Sequence, residues 1–172
     1  MSPTRRVLVS RLLPGLSGRG VVLASPVDRG IIARTLADHG FTLVEVAPPR
    51  PVDDVDTLDA DPPSTSLREA QAAIAAALRL PEAAGRNLDA LVDSLRDLAV
   101  WWPDHELVAL LWPGAEALVE SDLPGWHTLT EILRGASDDL WLGGRTRGDR
   151  VFEVVAFVDR HGVTVLPAQE CR

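Results

Sequence analysis

Apolar positions along the chain fall into short unbroken runs and into stripes at helical spacing, and their order predicts a layered α/β fold. GVVLAS at 20–25 reads as a short strand. Ser25 and Pro26 then supply N-cap and first-turn residues, Ile31, Ile32 and Leu36 share one helical face, and Gly40 ends the helix. FTLVEV at 41–46 is a second strand, with Phe41 and Leu43 on one side of the pleat and Val44 and Val46 on the other. Strand, helix and strand within residues 20–46 form a βαβ pattern and suggest that the two strands pair in parallel.

Residues 47–65 hold five prolines and five aspartates without periodicity, and read as a solvated acidic loop. Asp54, Asp56, Asp59 and Asp61 lack the spacing, the glycine and the closing glutamate of a calcium loop. Ser66 and Glu69 then form a capping box ahead of an alanine-rich helix whose buried stripe is Leu67, Ile74 and Leu78, ending near Pro81. A further helix starts at Leu88, ELVALLW at 106–112 is a buried strand, and short helices follow near 115–120 and 125–134. VFEVVAFV at 151–158 is the last core strand, after which VTVL is expected to hairpin back. The expected architecture is a small, mainly parallel sheet of three to four strands packed by helices, in one domain over 20–168 after a loosely ordered stretch at 1–19.

Composition narrows the function. With 46% hydrophobic and 24% charged residues, the chain has the balance of an ordinary globular protein. Its longest apolar run falls far short of the roughly 20 residues that span a bilayer, so no membrane role is expected. A net charge of −8 argues against direct nucleic-acid binding and favours a basic partner. All 17 basic residues are arginine, which a GC-rich bacterial genome explains. Arg11 and Pro14 interrupt the N-terminal apolar run before an export signal can form, and the single cysteine, Cys171, fits a reducing compartment. The expected setting is the cytoplasm.

The most informative stretch is LPEAAGRNLDALVDSLRDLA, residues 80–99. Projected as one helix over 88–99, Leu88, Leu91, Val92, Leu95, Leu98 and Ala99 form an apolar arc. Asp89, Asp93 and Asp97, four residues apart, fall on another face. Like charges at that spacing weaken a helix by a few tenths of a kcal/mol per pair, and only Asp89 gains from the helix dipole. Arg96, three residues after Asp93, relieves part of the repulsion. Between Leu80 and Leu110 six carboxylates face two arginines, a net −4 in a chain of −8. The ordinary reading is a solvated amphipathic helix.

These residues resemble the signature of the barstar family, intracellular protein inhibitors of barnase-type ribonucleases. Leu80-Pro81-Glu82, Gly85-Arg86-Asn87 and Asp89-Ala90-Leu91-Val92-Asp93 follow one another as in that family, and the pattern extends over about 40–158. The resemblance implies a compact α/β fold to which the strand–helix unit at 20–40 is an addition. It also implies a binding edge made by the 82–87 loop and the helix after it, plugging a ribonuclease active site. Asp89 and Asp93 would be the anionic anchors, standing in for substrate phosphate. Glu82, Asn87 and Asp97 would support them, Gly85 would shape the loop, and Arg86 and Val92 would lie on the contact face. Family members carry aromatic residues where this chain has Ala83, Ala84 and Val92, and an acid near Arg134. Arg96 adds a positive charge to the same face. These departures point away from barnase itself and toward another basic, extracellular-type ribonuclease or a toxin nuclease, with this chain as the immunity half of the pair. The alternative is a barstar-fold interaction or regulatory protein that no longer binds a nuclease.

Other residues carry less. His39, His105, His127 and His161 have no ligand-like spacing, so neither metal nor other cofactor is expected. Asp89 and Asp93 on one helix face offer an acid/base pair no substrate cleft, so catalysis is not expected. Cys171 has no flanking base, Gly15–Gly20 lacks the lysine of a phosphate loop, and Arg147-Gly148-Asp149 reads as a polar turn. Trp101 is expected to cap the core and Trp102 to be partly exposed.

Overall fold

In the computed structural model, residues 7–48, 65–141, 150–160, 163, 165 and 166 are described. The two longest apolar runs become the centre of one sheet. The strands are β1 (Gly18–Arg19), β2 (Val21–Ala24), β3 (Thr42–Glu45), β4 (Leu107–Trp112) and β5 (Val151–Phe157), in spatial order β1-β2-β5-β4-β3. β2, β5, β4 and β3 run parallel, and β1 pairs antiparallel at the β2 edge. Every residue of β4 and β5 is buried, as expected for parallel strands covered on both faces.

The helices are α1 (Val9–Leu12), α2 (Arg29–Asp38), α3 (Leu67–Ala77), α4 (Leu88–Arg96), α5 (Leu98–Trp101), α6 (Ala115–Ser121) and α7 (Leu123–Leu140). The pleat sorts them into two layers. Val44, Val46, Val108, Leu110, Phe152 and Val154 pack with α3, α4, α6 and α7 on one face. Leu107, Leu111, Val151, Val155 and Phe157 pack with α1 and α2 on the other. Phe41 and Leu43 join the second layer while Val44 and Val46 join the first, as their alternation predicts.

Several expectations are corrected. β2 and β3 are parallel members of one sheet but not neighbours, because β5 and β4 lie between them. The fully buried strands take the centre, and β3, with Glu45 exposed, takes an edge. Within the stretch before residue 19, Val9, Leu13 and Leu16 are buried in the α2 layer rather than loosely placed. The helix expected to end at Arg134 continues through Gly135 to Leu140, because Ala136, Ser137 and Leu140 carry its buried stripe onward. The VTVL hairpin does not form at its described residues: Val163, Val165 and Leu166 are outside any strand, and the Leu166 N–H donates to Asp28 Oδ2 at 2.8 Å.

Trp102 is partly exposed as expected, but Trp101 does not cap the core. Trp102 packs on the core and donates its indole N–H to the Leu78 carbonyl at 2.8 Å, while Trp101 is 42% exposed. The capping box at Ser66 and Glu69 is present, whereas Ser25 makes no capping bond. Most of the acidic loop, together with Arg147-Gly148-Asp149, His161 and Cys171, lies outside the described residues. Among the described residues no helix is long and apolar enough to cross a membrane.

Candidate interaction edge

The edge begins where α3 ends. Pro81 precedes a single 3-10 turn, Glu82–Gly85, closed by the Ala84 N–H on the Pro81 carbonyl at 2.9 Å. Ala84 faces inward and is fully buried, and its carbonyl accepts a 2.7 Å bond from the buried Gln71 amide of α3. Gly85 lies against the same helix: a Cβ there would stand 3.4 Å from Ala72 Cα, at the near limit of van der Waals contact. Ala83, Glu82 and Arg86 point to solvent, and Arg86 forms an ion pair with Glu82. That pairing neutralises much of the charge Glu82 would bring to the edge.

Asn87 starts α4. Its side-chain oxygen accepts the backbone N–H groups of Asp89 at 2.7 Å and Ala90 at 3.3 Å, satisfying two of the free donors at the helix start. Leu91 and Leu95 anchor α4 in the core, with Leu88 and Val92 half-buried beside them. Asp89 and Asp93 therefore project from the opposite side, both exposed, on a helix fixed by its cap and its apolar face. Asp89 also sits in the first turn, where the dipole favours its charge.

Asp97 closes α4. α4 stops at Arg96, and Asp97, with φ −87° and ψ 19°, forms the joint between α4 and α5. Its N–H still donates to the Asp93 carbonyl at 3.1 Å, one turn back, and its side chain is exposed.

α7 completes the edge, and periodicity in the 80–99 stretch gives no hint of it. The Arg96 Nε–H donates to Asp139 Oδ2 at 3.1 Å, while an Arg96 terminal nitrogen lies 3.9 Å from Asp93 Oδ1. Beneath this arginine runs a shallow cleft of about 100 Å³ between α4 and α7, with Val92, Ile132, Gly135 and Ala136 in its walls. Arg134 is paired with Glu131 one turn earlier, so the reversed charge at that position is compensated locally. Beyond α4, exposed Val100 and Trp101 place apolar surface after the acidic residues. Among the described residues Asp89 and Asp97 pair with no cation, and Asp93 touches only the far side of Arg96.

Chemically, the arrangement is a rigid helix presenting separated carboxylates, suited to binding cations rather than to turning over a substrate. Among the described residues no group of three histidine, cysteine or acidic side chains is placed to hold a metal ion. A family model described as Barstar (barnase inhibitor) matches residues 62–156, which is more than half of the chain. The match takes in α3, the 82–85 turn, α4, β4, α7 and most of β5, and leaves β1, β2, α2 and β3 outside. Neither the curated proteins nor the solved structures contain a match to the chain.

Proposed function

The chain belongs to the barstar family, and on that premise we propose that it binds a basic ribonuclease or toxin nuclease and occludes its active site. The family is one of inhibitors rather than enzymes. The observation that carries the proposal is the α4 face: two exposed carboxylates, Asp89 and Asp93, on a helix locked by the Asn87 cap and by Leu91 and Leu95.

A nuclease pocket is lined with cationic side chains that hold a phosphodiester. Carboxylates delivered on a rigid helix satisfy the same donors without offering a bond to cleave. Asp89 and Asp93 serve as anchors. Asn87 and Gly85 set the angle at which the turn meets α4. Glu82 with Arg86, Asp97 and Val92 form the surround. Electrostatic steering, for which the barnase–barstar pair is itself the standard example, gives fast association that slows with salt. The setting consistent with this role is the cytoplasm, where the chain serves as the immunity partner of the nuclease.

A second reading has one observation in its favour. Ala83 is exposed and Val92 half-buried where family members carry aromatic anchors, so the face has lost contacts of the kind that dominate binding. A regulatory protein of different shape would fit such a face. A pull-down from the native lysate at low and high salt separates the two, with Asp89→Ala/Asp93→Ala as control. Capture of a small basic nuclease by the wild type alone, released by salt, is the expected result. Capture of the same partners by both proteins would place the interface elsewhere.

A further inference from the structure

We infer that Asp139 is a positioning residue that keeps the anchor Asp93 available, by holding Arg96 on the α7 side of the cleft. The inference deepens the proposed function, since it concerns the same face, but it makes a claim about the free protein that can be tested alone.

Arg96 is three residues after Asp93 on α4, a spacing at which an arginine and an aspartate normally pair across the helix surface. Here the closer contact is made elsewhere. The guanidinium Nε–H bonds to Asp139 at 3.1 Å, and Asp93 is left at 3.9 Å with its side chain 78% exposed. Asp139 is the α7 carboxylate that holds Arg96. Glu131 is engaged by Arg134, and Asp138 by Arg19 at 3.3 Å. The arginine stem thus lies over the cleft formed by Val92, Ile132, Gly135 and Ala136. Glu131, the other carboxylate lining the cleft, is held by Arg134, so without Asp139 the guanidinium turns to Asp93 and neutralises the charge that the partner must meet.

The test reads the local potential of the free protein. Amide relaxation along α4 is measured with a cationic and a neutral nitroxide cosolute in the wild type, Asp139→Asn, Arg96→Gln, the double variant, and Asp38→Asn. Asp38 is exposed at the end of α2, in the layer on the opposite face of the sheet, and controls for net charge. Asp139→Asn is expected to lower the cationic enhancement at the amides of 90–94 at least twofold. The same substitution in the Arg96→Gln background should have less than half that effect, and Asp38→Asn should leave these amides unchanged. An equal effect of Asp139→Asn in both backgrounds overturns the inference, because it shows only the loss of a nearby charge. Stopped-flow association with barnase, and with any nuclease captured from the lysate, is measured in parallel. Failure of every nuclease to bind while the coupling persists refutes the proposed function and leaves the role of Asp139 standing.

Discussion

Replacing Glu153 probes the most consequential polar group in the fold. It lies in the middle of β5, fully buried, on the face occupied by α1 and α2. Its carboxylate accepts the Val9 N–H at the start of α1 and the Gly20 N–H at 3.3 Å, so one acid ties the N-terminal stretch to the sheet. Burial pushes its pKa above the ordinary 4.5, opposed by the bonds from Val9 and Gly20 and by the charge of Arg19. A carboxyl whose folded pKa is raised contributes stability that is complete below the unfolded value of about 4.5 and is lost as pH rises through the folded pKa. Each unit of elevation corresponds to about 1.4 kcal/mol. Glu153→Gln removes the titration and keeps an acceptor, so the difference in unfolding free energy between wild type and variant should move in favour of the variant from pH 4.5 upward. Glu153→Ala leaves two backbone N–H groups without an acceptor, at about 1–3 kcal/mol each, and opens a cavity. Urea unfolding from pH 4 to 8 measures both, and cleavage by trypsin at Arg11 reports release of the N-terminal stretch. A pH-independent difference between wild type and Glu153→Gln, or an Ala variant within about 0.5 kcal/mol of wild type, would refute the reasoning.

Other outcomes follow from the same contacts. Asn87→Ala removes the cap of α4 and should cost about 1 kcal/mol in urea unfolding, with the loss concentrated in the amide exchange of Asp89 and Ala90. Gly20 has φ +77°, and a Cβ there would meet Arg134 Cα and Ser137 Cβ at 3.1 Å, so Gly20→Ala should destabilise by about 1–3 kcal/mol in thermal unfolding. Hydrogen bonds from Ser66 hold the Glu69 carboxyl below its ordinary 4.5. This exposed capping contribution is therefore present above that value and fades as pH falls through the lowered one; Ser66→Ala, which keeps the backbone N–H on Glu69, should reduce the fading in acid unfolding curves, and Glu69→Gln should abolish it.

Much of the fold is legible in local pattern, and what is not depends on contacts between distant segments. The alternation of Phe41, Leu43, Val44 and Val46 places each side chain in its layer before any partner is known, because the pleat has a period of two. Ser66 with Glu69, and Asn87 ahead of Leu88, mark helix starts through bonds made within a few residues. Strand order is different. Nothing near β2 and β3 announces that β5 and β4 will come between them; the signal lies in the all-apolar character of those later strands.

At the edge, the outward placement of Asp89 and Asp93 follows from helical spacing alone. The role of Arg96 does not, since it requires α7 to continue past Gly135 and bring Asp139 alongside. A Cβ at Gly135 would meet nothing within 4 Å, so this glycine neither demands an unusual backbone nor ends the helix. Reading Ala136, Ser137 and Leu140 as a continued stripe would have found it. Trp101 misses the core because α4 ends at Asp97, whose backbone leaves the helical path and turns the positions after it away from the projected helix. Glu153 was readable in principle, as one acid at an inward position of an otherwise apolar strand, the mark of a buried group with dedicated partners.

The central claim is that the α4 edge inhibits a basic ribonuclease. The most direct measurement is stoichiometric inhibition of the captured nuclease by wild type and by Asp93→Ala, at low salt and at physiological salt. If Asp93 is a buried anchor, its loss should weaken inhibition by about 2 kcal/mol or more, roughly thirtyfold, and salt should weaken wild type more than the variant. Inhibition by Asp93→Ala within about 0.5 kcal/mol of wild type, roughly twofold, would contradict the claim and move the inhibitory surface off this helix.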